Sequence, residues 1–133
     1  MFELVLDAEL SSLTTMADAI QGYAADHAVP QDKTMDLIQA LDEVVTNMIS
    51  YGGLAPCDTI AVTIDLRDDA ICASVEDRGV AFDPLHDAPP PATGSIEERP
   101  LGGLGLHIAR TIIRDLSYQR VDGRNLLLMR LPL

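Results

Sequence analysis

The segment from Asp32 to Gly53 places the tightest constraint on how this chain can fold. Met35, Leu37, Ile38, Leu41, Val44, Val45, Met48 and Ile49 recur at helical spacing and form a wide apolar stripe. Asp32 is placed to cap this helix, Gly52-Gly53 to end it, and Pro56 lies just beyond. A stripe this wide must be covered, and the chain that follows supplies the cover. Residues 59–66 (TIAVTIDL) alternate with period two and are β-branched, Asp68-Asp69 makes a turn, and residues 70–76 (AICASVE) return as a second strand. The minimal outcome is a helix laid on a sheet.

The remaining segments extend that arrangement. Residues 2–7 (FELVLD) predict an opening strand. Residues 9–28 predict a helix on the spacing of Leu10, Leu13, Ala17, Ile20 and Ala24, stopped by Pro30. Residues 78–103 hold five prolines and four glycines, a long loop of the kind that serves as a lid or stays disordered. Residues 104–116 (LGLHIARTIIRDL) return to helical periodicity. Residues 117–121 and 125–131 then flank Asp122-Gly123 as a closing hairpin. The order is strand, two helices, hairpin, loop, helix, hairpin. It predicts an α+β fold, a two-layer sandwich with helices on one face of a mixed, mostly antiparallel sheet. With 133 residues, 47% of them apolar, the whole chain, 1–133, is expected to form one domain with a sizeable core.

Charge narrows the function. The formal net charge of -12 disfavours direct nucleic-acid binding and an anionic membrane surface. Cys57 and Cys72 form neither a disulfide framework nor a CxxC pair, and His27, His86 and His107 lack zinc spacing. The start carries two acids in its first seven residues and no basic region, so it is not a secretory signal. No apolar run reaches the roughly 20 residues of a membrane span. A cytoplasmic location is the simplest expectation.

Three patches carry chemistry. Glu43 and Asn47 stand four apart and share one helix face. A carboxylate beside a carboxamide suits a general base next to a hard-cation ligand, or else a solvated helix face. Asp77 closes a strand in the run DRGVAFDP, where it can accept a hydrogen bond from an exocyclic amine and Gly79 permits close approach; a plain turn is the other reading. GGLGLHIAR, from Gly102 to Arg110, leads glycines into a helix start, either an anion site or a hinge. It is not a Walker loop, because no Gly-Lys-Ser/Thr follows, and no βαβ unit surrounds it.

Taken in order, LDEVVTNMISYG, VEDRGVAFDP and GGLGLHIAR resemble the N box and the two glycine boxes of the GHKL (Bergerat-fold) ATP-binding superfamily, over roughly residues 5 to 133. Within it the chain resembles the stand-alone anti-sigma-factor serine/threonine kinases. The expectation is a stand-alone domain, without the phosphoacceptor helices of a sensor kinase before the motifs or the transducer domain of a gyrase or chaperone after them. The resemblance implies that Glu43 is the base activating the acceptor hydroxyl and that Asn47 ligates Mg²⁺ on the phosphates of ATP. It implies that Asp77 binds the adenine amino group, with Gly79 letting the base lie close. Gly102, Gly103, Leu104 and Gly105 would wrap the phosphates, and residues 80–101 would form the lid. The implied partners are a STAS-domain anti-anti-sigma protein, phosphorylated on Ser or Thr, and a sigma factor. A homodimer through the first helix and its neighbouring strand is also implied.

The chain departs from that pattern in places. Ala81 stands where a second glycine often lies, and Tyr51 where many relatives have histidine. The final hairpin (RNLLLMRLPL) has no threonine to place near adenine; Asn125 is the candidate substitute. Arg99 is either a γ-phosphate contact or a solvated charge, and His107 a phosphate neighbour or an exposed helix residue. The departures keep a second reading open, a nucleotide-gated protein-binding module with little or no kinase activity.

Overall fold

The computed structural model describes residues 1–83, 113 and 115–133. The elements in chain order are β1 (Phe2–Asp7), α1 (Ser12–Asp26), α2 (Gln31–Tyr51), β2 (Thr59–Arg67), β3 (Ala70–Asp77), β4 (Asp115–Val121) and β5 (Arg124–Pro132). The strands form one sheet in the order β1-β2-β3-β5-β4. All four pairings are antiparallel, so among the described residues the sheet has no parallel part.

Alternation decides what each strand buries. Leu6, Ile60, Val62, Ile64, Ile71, Ala73, Val75, Leu127, Met129 and Leu131 point to one face. There they meet Met16 and Ile20 of α1 and Leu37, Leu41, Val44, Val45 and Met48 of α2 in a single core. The architecture is therefore the expected two-layer α+β sandwich. Ile113, just before β4, is buried in the same core.

Both hairpins turn as the sequence indicates. Asp68 and Asp69 take φ of 49° and 58°, and Asp122 and Gly123 take 50° and 76°. Two left-handed residues in a two-residue loop match the right-handed strand twist, and Asp and Gly tolerate that region best.

Three element boundaries differ from expectation. The first helix is shorter than 9–28, because Glu9 and Leu10 are spent in turns whose carbonyls accept from Ser12 and Leu13. Ala28 then leaves the helix at φ 56°. Asp32 does not cap α2: Pro30 occupies that position, and the Thr34 hydroxyl donates back to its carbonyl at 3.0 Å. Asp32 lies instead in the first turn, where its charge complements the helix dipole. The expected helix 104–116 cannot reach its predicted end, since Asp115 and Leu116 pair in β4 with Arg130 and Met129. The rest of that helix, Arg99, His107 and most of the expected lid lie outside the described residues.

Candidate active site

Helix α2 carries the first two candidate residues on the side turned to the core. Asn47 is wholly buried, beside Ala40 and Val44 on the same stripe, and Glu43 one turn earlier is half-buried. A solvated face is thereby excluded. Both polar atoms of the Asn47 amide and Oε2 of Glu43 are buried with no hydrogen-bond partner among the described residues. A buried orphan of this kind costs about 1–3 kcal/mol, so the fold carries these groups at a loss. Burial raises the pKa of Glu43 and the neighbouring Asp42 charge adds to it; burial alone raises that of Asp42. A carboxylate so placed is a stronger proton acceptor than one in water.

The last residue of β3 supplies the third candidate. Asp77 is 4% exposed. Its Oδ1 accepts from the backbone N–H of Gly79 at 2.8 Å and from Nδ2 of Asn125 at 3.0 Å. Its Oδ2 has no hydrogen-bond partner among the described residues and remains an acceptor for an incoming donor.

The end of α2 lies against this strand end. A Cβ on Gly79 would sit 2.7 Å from Cδ2 of Leu54 and 3.1 Å from the Gly52 carbonyl oxygen. Gly79 is thus bare because its own chain packs there. Gly53, at φ +69°, makes the left-handed exit from α2 that brings Leu54 across. From Gly52 back to Asn47 is about 7.5 Å along the helix axis, and Glu43 lies about 6 Å further. Asn47 and then Glu43 thus lie at increasing distance along α2 from the contact between Gly52 and Gly79 beside Asp77.

Asn125 was the substitute considered for the missing threonine, and the structure places it opposite Asp77, 1% exposed. Its neighbours Tyr118 and Arg120, which the sequence reading did not single out, bond to it. Tyr118 is half-buried against the core and Arg120 is exposed, so no single pattern in the sequence marks the two. Arg78 is exposed and Ala81 is exposed. Gly102, Gly103, Leu104 and Gly105 lie outside the described residues. A depression of about 450 Å³ adjoins Asp77 and is lined also by Glu3, Leu54, Ala61, Glu76 and Arg78; it does not include Glu43 or Asn47.

The donor set suits a hard cation. An unpaired amide oxygen and an unpaired carboxylate oxygen on one helix face are oxygen ligands of the kind Mg²⁺ takes beside substrate phosphates. No helix among the described residues is long and apolar enough to cross a membrane.

Residues 6–131 match the histidine kinase-like ATPase domain family. The serine/threonine-protein kinase BtrW of Bordetella bronchiseptica is 32% identical over 125 residues, covering 88% of this chain and 86% of that protein. The serine-protein kinase RsbW of Bacillus cereus is 24% identical over 130 residues, covering 95% and 81%. The RsbU and RsbW domains of Rv1364c from Mycobacterium tuberculosis share the fold at a TM-score of 0.69 and 18% identity, with 99% of this chain matched to 31% of that one. The chain belongs to the histidine kinase-like ATPase family, in the serine/threonine-protein kinase branch that includes BtrW and RsbW.

Proposed function

We propose that this protein transfers the γ-phosphoryl group of ATP to a serine or threonine of a STAS-domain anti-anti-sigma protein. It would alternate between that partner and a sigma factor in the cytoplasm. The observation that carries the reading is the unpaired Asn47 amide and Glu43 carboxylate, buried on one face of α2. A fold keeps such groups unpaired where a ligand completes them.

Asp77 Oδ2 accepts from the exocyclic amine of adenine. Asn47 would hold Mg²⁺, which when bound would neutralise charge on the phosphates. Glu43 takes the proton of the acceptor hydroxyl as its oxygen bonds to the γ-phosphorus and the bond to ADP breaks. Its raised proton affinity favours that role. Gly102, Gly103, Leu104 and Gly105, outside the described residues, are the proposed phosphate-binding residues on the strength of the motif alone. Positioning and charge neutralisation account for most of phosphoryl transfer, which is why so few side chains suffice.

The test is transfer of labelled phosphate from ATP to a purified STAS-domain partner. Glu43→Ala should lower the rate by about 10²–10⁴ while nucleotide still binds. Undiminished transfer by Glu43→Ala would remove the base assignment. Binding of ATP by the wild type with no transfer to any such partner would leave the nucleotide-gated binding module.

A further inference from the structure

We propose that Asn125 is a positioning residue for base recognition, holding Asp77 and the start of the next loop as one unit without touching the nucleotide. The inference rests on the ATP-binding reading above and concerns the same site.

The valence of the amide carries the argument. An asparagine side chain offers two N–H donors and one carbonyl oxygen. Nδ2 donates to Asp77 Oδ1 at 3.0 Å and to the Val80 carbonyl at 2.7 Å. Oδ1 accepts from the Tyr118 hydroxyl at 2.6 Å, Nη1 of Arg120 at 3.1 Å and the Phe82 N–H at 3.2 Å. The partners on each side settle which atom is nitrogen and which oxygen. Every donor is used and the oxygen is crowded, so nothing remains for a ligand.

The consequence falls on Asp77. Its Oδ1 is gripped by Gly79 and Asn125 together, so the carboxylate cannot rotate without losing both bonds. That leaves Oδ2, which has no hydrogen-bond partner among the described residues, as an acceptor in a fixed place. A fixed acceptor distinguishes an exocyclic amine from a carbonyl at the same ring position; a carboxylate free to swing away does so less well. Arg120 closes the unit by donating also to the Gly79 carbonyl at 2.8 Å. Strands β3, β4 and β5 and residues 79–82 are thus tied through one side chain.

The experiment is calorimetric binding of ATP and of GTP, each with Mg²⁺, to the full chain. Asn125→Asp keeps the acceptor for three donors but sets an oxygen against Asp77 Oδ1 and the Val80 carbonyl. At pH 8 it should weaken ATP binding at least tenfold and narrow the preference for ATP over GTP. Asn125→Ala, which removes both donors and the acceptor, should lose the preference as well. Tyr118→Phe removes one donor and should narrow the preference two- to fivefold; it decides the matter if the Asn125 variants do not unfold cooperatively. Folded variants that bind both nucleotides more weakly but keep the wild-type preference would overturn the proposal, since a purely structural role lowers both alike. Failure of the wild type to bind ATP would overturn the underlying reading, and with it this one.

Discussion

Asn125 and Asp77 stand directly opposite on β5 and β3, 48 residues apart in sequence, joined by a hydrogen bond of 3.0 Å. That pairing makes Asp77 part of the sheet and of the site at once. One carboxylate oxygen is held by the fold, and the other has no hydrogen-bond partner among the described residues. The same division recurs on α2, where Val44 and Met48 build the core while the Asn47 amide and Glu43 Oε2 have no partner among the described residues.

Glu43 should trade stability for activity. Burial raises its folded pKa above the unfolded value, so stability is fully present below about pH 4.3, the ordinary glutamate value, and is lost as pH rises through the folded pKa. Glu43→Gln should therefore melt higher than wild type at pH 7, with the gap closing as pH falls to about 4. Thermal unfolding across that range checks the sign, and the same variant should be nearly inactive in phosphotransfer.

Asn47→Leu replaces a buried amide lacking partners with an apolar side chain of similar size. Removing the orphan should stabilise the nucleotide-free protein by about 1–3 kcal/mol. Wild type should gain roughly 2.7 kcal/mol from Mg-ATP at 100 times its Kd, a gain that a chelator reduces and that Asn47→Leu largely loses. Melting curves with and without ligand measure both effects on one sample.

Gly79→Ala should strain the contact between β3 and the end of α2. Its methyl group would meet Leu54 at 2.7 Å and the Gly52 carbonyl oxygen at 3.1 Å. A cost of about 1–3 kcal/mol is expected from such overpacking. Because Asp77 Oδ1 lies 3.1 Å from the same point, ATP affinity should fall as well. Trimming Leu54 to alanine in the same chain should recover part of the loss in stability, and denaturant titration of the two variants tests this.

Asp69→Gly probes a turn remote from the site chemistry. Asp69 holds φ of 58°, a region that favours glycine at the second position of such a turn. Relief of that strain exceeds the added freedom of the unfolded chain by about 0.5 kcal/mol, so the melting temperature should rise by a few degrees. ATP affinity should not change.

Much of this was legible before any coordinates. The stripe from Met35 to Ile49, the alternation of residues 59–66 and the Asp-rich turns are short-range patterns. Each reports which side of a local element must leave water. The Glu43–Asn47 pair was visible for the same reason, since four residues make one helical turn. The end of the segment 104–116 was misjudged because Asp115 and Leu116 fit a helix locally, while pairing with Arg130 and Met129 claims them for β4. The cap on α2 was misplaced by one turn chemistry competing with another, Thr34 back-bonding to Pro30.

Sequence alone thus determined most of the described elements and the layer architecture, because helical and strand periodicity act within a few residues. Burial of Asn47 without partners was decided only when α2 met the sheet. That one oxygen of Asp77 is held by Asn125 was decided by the register of β3 against β5. That register is set by long-range backbone pairing, and a one-residue slip would have turned Asn125 to the opposite face.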